Sequence, residues 1–383
     1  MYRHGKRWFS SRKIGFSKFR ATHAALSWRL ALYAVATFSV SVFLLRRDAT
    51  GTTTRENFDV PASVDNLRVA ARIFATLPPN LLVVEPFHGL GNRLRAYASA
   101  AALAKKSGRK LLVVWIPDVH VNARLSQLFD TSSILVLEFP VLAALRDIRP
   151  DFLYYDYNAQ GGKDKVILDK SRKPVYVRSA YILQAETKVS EADMNNALRE
   201  LKPVSQIMAR VSEEQNRLQH RGVFVGVHIR MLSDLDIDVP GISKLPAAHA
   251  AGAHSMGPVK LNRDRCHYKE FIPHLEQAVQ NNRNVSFLVA SDMPEAINAL
   301  RKIFGKKVVS FEHENCSGSS RRDSLCLQST LAEFFLLSRV SSALILSDWS
   351  SASELILRLS FPMPPHKHGC SPKAKNYGFL NIF

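Results

Sequence analysis

At 383 residues the chain is long enough for two domains, each with its own core. Its formal charge of +19 would fit a nucleic-acid binder, but ten Lys or Arg precede the first acidic residue, Asp48, so about half of the excess sits in an N-terminal arm. The remaining 42 basic and 33 acidic residues leave a mild +9 with no aromatic basic stripe, which excludes nucleic acid as a partner and suits small anionic ligands.

The arm, residues 1–27, reads as a basic cytosolic tail. Sixteen uncharged residues follow, Leu30 to Leu45, between Arg29 and Arg46. As a helix they rise about 24 Å, close to the thinner bilayers of the early secretory pathway. Eight Lys or Arg precede this span, and the positive-inside bias then places the N-terminus in the cytosol. The expectation is a single-pass type II protein of the Golgi or endoplasmic reticulum membrane, touching the lipid bilayer through one helix at 28–46, with its bulk luminal. A cleaved signal or transit peptide fits the same residues, because the arm is Arg-rich and free of acids. Residues 47–79 are Thr-rich, then charged, and end at Pro78-Pro79; with one amphipathic helix over 64–77 they read as a stem.

From residue 81 apolar strands alternate with helical segments. Strands are predicted at 81–85, 110–115 and 134–138, and Gly161-Gly162 and Lys202-Pro203 punctuate a less regular stretch. A break at 205–222 precedes a second series, with strands at 223–229, 285–290, 307–311 and 343–347. Helices are expected near 64–77, 96–106, 268–280, 294–303, 330–340 and 351–359. Such alternation predicts an α/β fold of two Rossmann-like domains facing a cleft, 80–210 and 211–383, with ligands beyond the carboxyl ends of the strands.

Four cysteines, Cys266, Cys316, Cys326 and Cys370, all lie in the C-terminal part. In a luminal domain they allow two disulfides with three connectivities, Cys316–Cys326 being the pair to test first. Their spacing matches no zinc pattern, and buried thiols are the other reading. Asn284-Val285-Ser286 and Asn315-Cys316-Ser317 fit the N-glycosylation pattern of a glycoprotein.

Two segments carry chemistry. The stretch His88-Gly89-Leu90-Gly91-Asn92-Arg93-Leu94-Arg95 joins a strand to a helix N-terminus, where a backbone approaches an anion closely. Gly89 and Gly91 remove Cβ atoms that would block that approach, while Asn92, Arg93 and Arg95 supply donors; a plain tight turn with exposed arginines is the alternative. Far along the chain the strand 223–229 delivers His228 and Arg230 to its end, on the same side by the two-residue period. Gly91 is followed by Asn92-Arg93 rather than Lys-Ser or Lys-Thr, which argues against a P-loop phosphotransferase.

Gly89 to Arg93 and His228-Ile229-Arg230 together resemble the signatures of the fucosyltransferase superfamily of nucleotide-sugar enzymes, with its α-1,2, α-1,6 and protein O-fucosyltransferase branches. Two further elements follow in the family's order, Phe287 to Asp292 and Leu331 to Ser338 running on to Asp348-Trp349-Ser350-Ser351. The resemblance spans roughly residues 81–360 and rests on the order and spacing of four short elements. It implies a GT-B-type fold and transfer of fucose from GDP-fucose to a hydroxyl of a glycan or glycoprotein acceptor, with inversion and without a metal or other cofactor. It makes Arg230 the β-phosphate contact and Asn92, with Gly91, a donor near diphosphate and sugar. Gly89, Arg93, His228, Asp292, Glu333, Ser350 and Ser351 would complete the donor site.

Physical chemistry supports the arginine, whose permanent charge and planar fork match phosphate oxygens bidentately. A structural ion pair with Asp234, Asp236 or Asp238 is the competing account of Arg230. His228 is equally readable as a core histidine, and the serine pair as ordinary helix capping. Met231-Leu232-Ser233 departs from the α-1,6 branch, where a second arginine and an acid follow soon after, so the branch is not assigned. Asp234-Leu235-Asp236 contains an Asp-x-Asp, which in another transferase class binds manganese, and so a metal-dependent nucleotide-sugar transferase is an alternative. A catalytically silent luminal glycan-binding protein of the same fold is another. For a general base the candidates are Glu85 and His88, which flank the glycine loop.

Overall fold

Two five-stranded parallel sheets organise the computed structural model, which describes residues 64–370 apart from 77, 143–144, 147–148, 158–165, 232–265, 312–315, 317–321, 349 and 361. The first sheet contains β1 (Leu81–Pro86), β2 (Lys110–Val114), β3 (Leu135–Leu137), β4 (Leu153–Asp156) and β5 (Val175–Ser179), in the order β3-β2-β1-β5-β4. The second contains β6 (Phe224–Ile229), β7 (Ser286–Ser291), β8 (Val308–Val309), β9 (Ser341–Leu346) and β10 (His366–His368), in the order β10-β9-β6-β7-β8. Each sheet places its first strand at the centre. The chain winds outward from β1 through β2 to β3 and then crosses to the other side, and β6 stands in the same relation to β7 and β9. The carboxyl ends of β1 and β6 are therefore topological switch points, where adjacent connections diverge and leave a crevice.

Composition explains why these two strands are central. Leu81–Pro86 and Phe224–Ile229 are buried along their whole length, as parallel strands covered on both faces must be. Helix α1 (Val64–Thr76) packs on the outer face of the first sheet through Phe74, which is 2% exposed. Helix α2 (Leu90–Ser107) crosses the inner face with all its alanines but Ala101 buried and stops at Gly108, whose φ of 66° is the left-handed cap that glycine adopts without steric cost. The short α3 (Leu125–Leu128) follows β2, and α4 (Glu191–Glu200) and α5 (Ser205–Leu218) lead into the second half. There α6 (Ile272–Asn281), α7 (Pro294–Phe304), α8 (Ser324–Val340) and α9 (Ser351–Leu359) alternate with the strands.

The main hydrophobic core is shared by both halves. It runs from Leu82 and Val84 of β1 through Leu94 and Leu103 of α2 to Leu336 of α8, Leu344 of β9 and Ile356 of α9. The chain length predicts a core for each half; each half has one, around Phe152 and Leu112 in the first and Phe287 and Leu300 in the second, and the shared helix layer joins the two sheets. The stem reading also needs correction, since 64–76 is a helix of the folded part rather than a spacer. The expected break at 205–222 is largely α5, so a domain boundary at 210 would cut a helix. Strands β4, β5 and β10 escaped sequence reading: β4 and β10 have four and three residues, too few to show a period, and β5 lies in a stretch crowded with Lys and Arg.

Both disulfides are formed, Cys316–Cys326 and Cys266–Cys370. Asp348 lies beside the second, one carboxylate oxygen 3.4 Å from each sulfur. Those sulfurs are bonded to each other and are therefore not thiolate ligands for a metal. Among the described residues no helix is long and apolar enough to cross a membrane. The span predicted at 30–45, Gly161-Gly162, Asp234 to Asp238 and Asn315 all lie outside the described residues.

Candidate functional site

The crevice is built from the carboxyl end of β6. Ser347, just past β9, ties this end together: its amide donates to the His228 carbonyl at 3.0 Å, and its Oγ accepts the Arg230 amide at 2.9 Å. On the other flank, just past β7, Asp292 accepts the Met231 amide at 2.9 Å, and its second oxygen is 3.2 Å from an Arg230 guanidinium nitrogen. Arg230 is thus fixed at its backbone and at its side chain by the two strands adjacent to β6. A quarter of that side chain, 26%, stays open to solvent. Among the described residues its carboxylate partner is Asp292.

The residues after Ser347 carry the chain to the opposite wall. Ser350 caps α9, accepting the Ala352 amide at 3.2 Å. A Cβ on Gly91 would lie 2.8 Å from both the carbonyl carbon and the Oγ of Ser351. The N-termini of α2 and α9, one from each half, therefore abut, and their positive dipole ends lie together. Helix α2 begins at Gly89 with no side-chain cap, so its first amides lack an intrahelical acceptor. Only a short connection separates Ser347, which holds Arg230, from Ser351, which touches Gly91. The two sequence-predicted segments are linked through Ser347 and Ser351.

The two glycines divide their work differently from the sequence expectation. Gly91 spends its missing Cβ on the close approach of two helices rather than on a ligand. Gly89 faces open space: a Cβ placed on it would have nothing within 4 Å. Asn92 is half-buried in the first turn of α2.

Arg93 departs furthest from expectation. Its guanidinium faces inward, not to the helix mouth: it is 1% exposed, donates to the carbonyls of His88 at 2.9 Å and Ile116 at 2.7 Å, and pairs with Asp118 at 2.7 Å. It also lies over the Trp115 ring. These partners make it a strut under the glycine turn. Asp118 continues the strut, accepting the amides of His120 and Val121.

His228 lies inside the protein, against α8 and α9. Its Nδ1 is 2.7 Å from Ser353 Oγ, its ring meets Phe334 edge-on, and burial pushes its pKa down to about 3, with the Arg230 charge adding to the shift. It is neutral at physiological pH and acts as a link between β6 and α9. Glu333 is likewise buried, within α8. Ser350 is buried and Ser351 half-buried at the helix contact.

The two candidate bases separate cleanly. Glu85, 4% exposed, accepts a very short hydrogen bond from the Tyr176 hydroxyl and lies 3.5 Å from Arg178, which also pairs with Asp156 at 3.4 Å. Burial raises its pKa, against the lowering pull of Arg178. The three charged residues occupy one register line across β1, β5 and β4. His88 is exposed, holds φ at 63°, and sets its ring 5.5 Å from that of His120. Sequence reading missed Ser347, Asp118, His120, Tyr176, Arg178 and Asp156. For Tyr176 and Arg178 the two-residue alternation of Val175–Ser179 was a usable signal; nothing local marked the others.

Fold and site together define a two-sheet α/β protein in which the segments past the two central strands meet at the Gly91–Ser351 contact. Among solved structures the chain is similar to the fucosyltransferase NodZ from Bradyrhizobium, with 15% identity, a TM-score of 0.45 and coverage of 73% of this chain and 92% of that one. It is similar to POFUT1 in complex with GDP-fucose, with 14% identity, a TM-score of 0.46 and coverage of 76% and 98%. A mutant of Arabidopsis thaliana FUT1 in complex with GDP gives 14% identity, a TM-score of 0.46 and coverage of 81% and 77%. No family model and no curated protein matches the chain.

Proposed function

We propose that the chain is a glycosyltransferase that moves fucose from GDP-fucose to a hydroxyl of a glycan or glycoprotein, by inversion and without a metal. The observation that carries this reading is the link from Arg230 through Ser347 to Ser351, which sets the start of α9 against the start of α2 at Gly91. Transfer from a nucleoside diphosphate sugar leaves negative charge on the diphosphate as the glycosidic bond breaks, and fixed donors stabilise that charge without reorganising. Arg230 supplies the guanidinium, held from both sides by Ser347 and Asp292. The amides near Gly89 and the Asn92 side chain supply donors from the first half, and Ser351 supplies them from the second. Asp292 serves as the partner that aims Arg230. The choice of fucose and guanosine rests on the four-element resemblance.

The apolar span at 30–45, its basic flanks and two disulfides support a type II anchor with the folded part in the oxidising lumen of the Golgi or endoplasmic reticulum. The test is a donor screen on the full chain in detergent, following nucleotide release from GDP-fucose, GDP-mannose and UDP-sugars with and without EDTA. GDP release from GDP-fucose that survives EDTA is the expected result. Consumption of UDP-sugars alone overturns the assignment, chelator-sensitive turnover favours the metal-dependent alternative, and GDP binding without turnover on a broad acceptor panel favours a silent glycan-binding protein.

A further inference from the structure

Resting on the transferase reading, we propose that His88 is the group that takes the proton from the acceptor hydroxyl, and that Arg93, Asp118 and His120 are positioning residues that hold its ring at the crevice. Three independent features point there. His88 alone among the described non-glycine residues has a positive φ, 63°, although glycine would adopt that conformation without strain and Gly89 stands next to it. That torsion fixes the direction in which the histidine ring leaves the loop.

The strained position is also over-determined. Arg93 Nε donates to the His88 carbonyl at 2.9 Å, and the same guanidinium pairs with Asp118 at 2.7 Å. Asp118 Oδ1 in turn accepts the His120 amide at 2.8 Å. One ion pair, buried on its arginine side, therefore fixes the backbone of both histidines, and their rings meet edge-on, centroids 5.5 Å apart. Finally, place matters: His88 is exposed at the carboxyl end of β1 and directly precedes the uncapped amides offered to the diphosphate. The rival carboxylate of Glu85 is buried and already engaged by Tyr176 and Arg178.

In the step assigned, the acceptor oxygen forms a bond to the anomeric carbon. The bond from that carbon to the diphosphate oxygen breaks, with its electron pair leaving on the nucleoside diphosphate. The acceptor proton passes to a ring nitrogen of His88 and from the imidazolium to water.

The test compares His88→Gly, His120→Phe and Asp118→Asn in the full chain, reading kcat at saturating donor and acceptor alongside GDP affinity by calorimetry. His88→Gly relieves the backbone and leaves a ring-sized gap, so its kcat is expected to fall about a hundredfold or more while GDP affinity stays within about twofold. Added imidazole restores part of that kcat in proportion to its concentration. His120→Phe keeps the edge-on ring without its nitrogens, and Asp118→Asn keeps the acceptor for the His120 amide without the charge facing Arg93. Each is expected to lower kcat by a smaller factor with GDP affinity retained. Wild-type kcat in His88→Gly overturns the proposal, as does loss of kcat that imidazole fails to restore. A wild-type chain that binds no nucleoside diphosphate overturns the transferase reading instead, a result the calorimetry separates from the first two.

Discussion

Arg93 and Arg230 each stand just beyond the central strand of a sheet, yet one is interior scaffolding and the other faces the crevice. Arg93 is 1% exposed and gives its donors to two carbonyls and Asp118. Arg230 pairs with Asp292 and keeps a side chain 26% exposed. Their local settings account for this. Arg93 lies in the first turn of α2, where a step of about 100° per residue turns it beneath the loop toward the end of β2. Arg230 directly follows β6 and is held by flanking residues past β7 and β9 at the mouth. A guanidinium near a glycine turn is therefore no ligand by proximity alone; the direction of its helix face or strand end decides.

The largest effect that would break this contrast is on stability. Arg93→Ala strips Asp118 and the carbonyls of His88 and Ile116 of their donor, and leaving such acceptors unpaired costs about 1–3 kcal/mol each. Urea denaturation should show that loss; unchanged stability with abolished GDP binding would make Arg93 a ligand residue after all. Arg230→Ala is expected to do the opposite, lowering kcat about a hundred- to a thousandfold with the melting temperature nearly unmoved.

The glycine pair sharpens the same contrast. Gly91→Ala drives a Cβ to 2.8 Å from the Ser351 backbone, and such overpacking costs about 1–3 kcal/mol. Gly89→Ala meets nothing within 4 Å at a φ of −63°, so its melting temperature should stay close to wild type. Equal losses in the two variants would mean that the helix contact is not what fixes Gly91.

His228 provides an effect graded by pH. Its folded pKa is lowered to about 3, so between that value and the unfolded 6.5 the unfolded chain binds the extra proton. Stability from this group is complete above pH 6.5 and declines as pH falls, by up to about 1.4 kcal/mol per pH unit. Denaturation between about pH 7 and pH 5 should show the decline, and His228→Asn, which retains a partner for Ser353, should flatten it. A variant with the wild-type slope would place the acid sensitivity elsewhere.

Much of this was legible in the sequence, and the failures have identifiable causes. Apolar runs, Leu81 to Val84 and Phe224 to Val227, marked β1 and β6 because a parallel strand covered on both faces is largely apolar. Short strands such as β4 and β10 give too few residues for a period to show. The inward turn of Arg93, the Ser347 tether and the His88–His120 ring pair depend on partners distant in the chain or on backbone torsion, which no local pattern reports.

The sequence by itself determined the alternation of strands and helices, the placing of Arg230 at a strand end and of a glycine turn at a helix start, and the supply of four cysteines. Local hydrophobicity and backbone preference act over a few residues, and those features need nothing more. Only the tertiary structure decided that Gly91 meets Ser351, that Arg93 turns inward and that the two helix N-termini abut. Those outcomes depend on how a shared core brings distant segments into contact, and burial then settles which charges keep a face toward solvent.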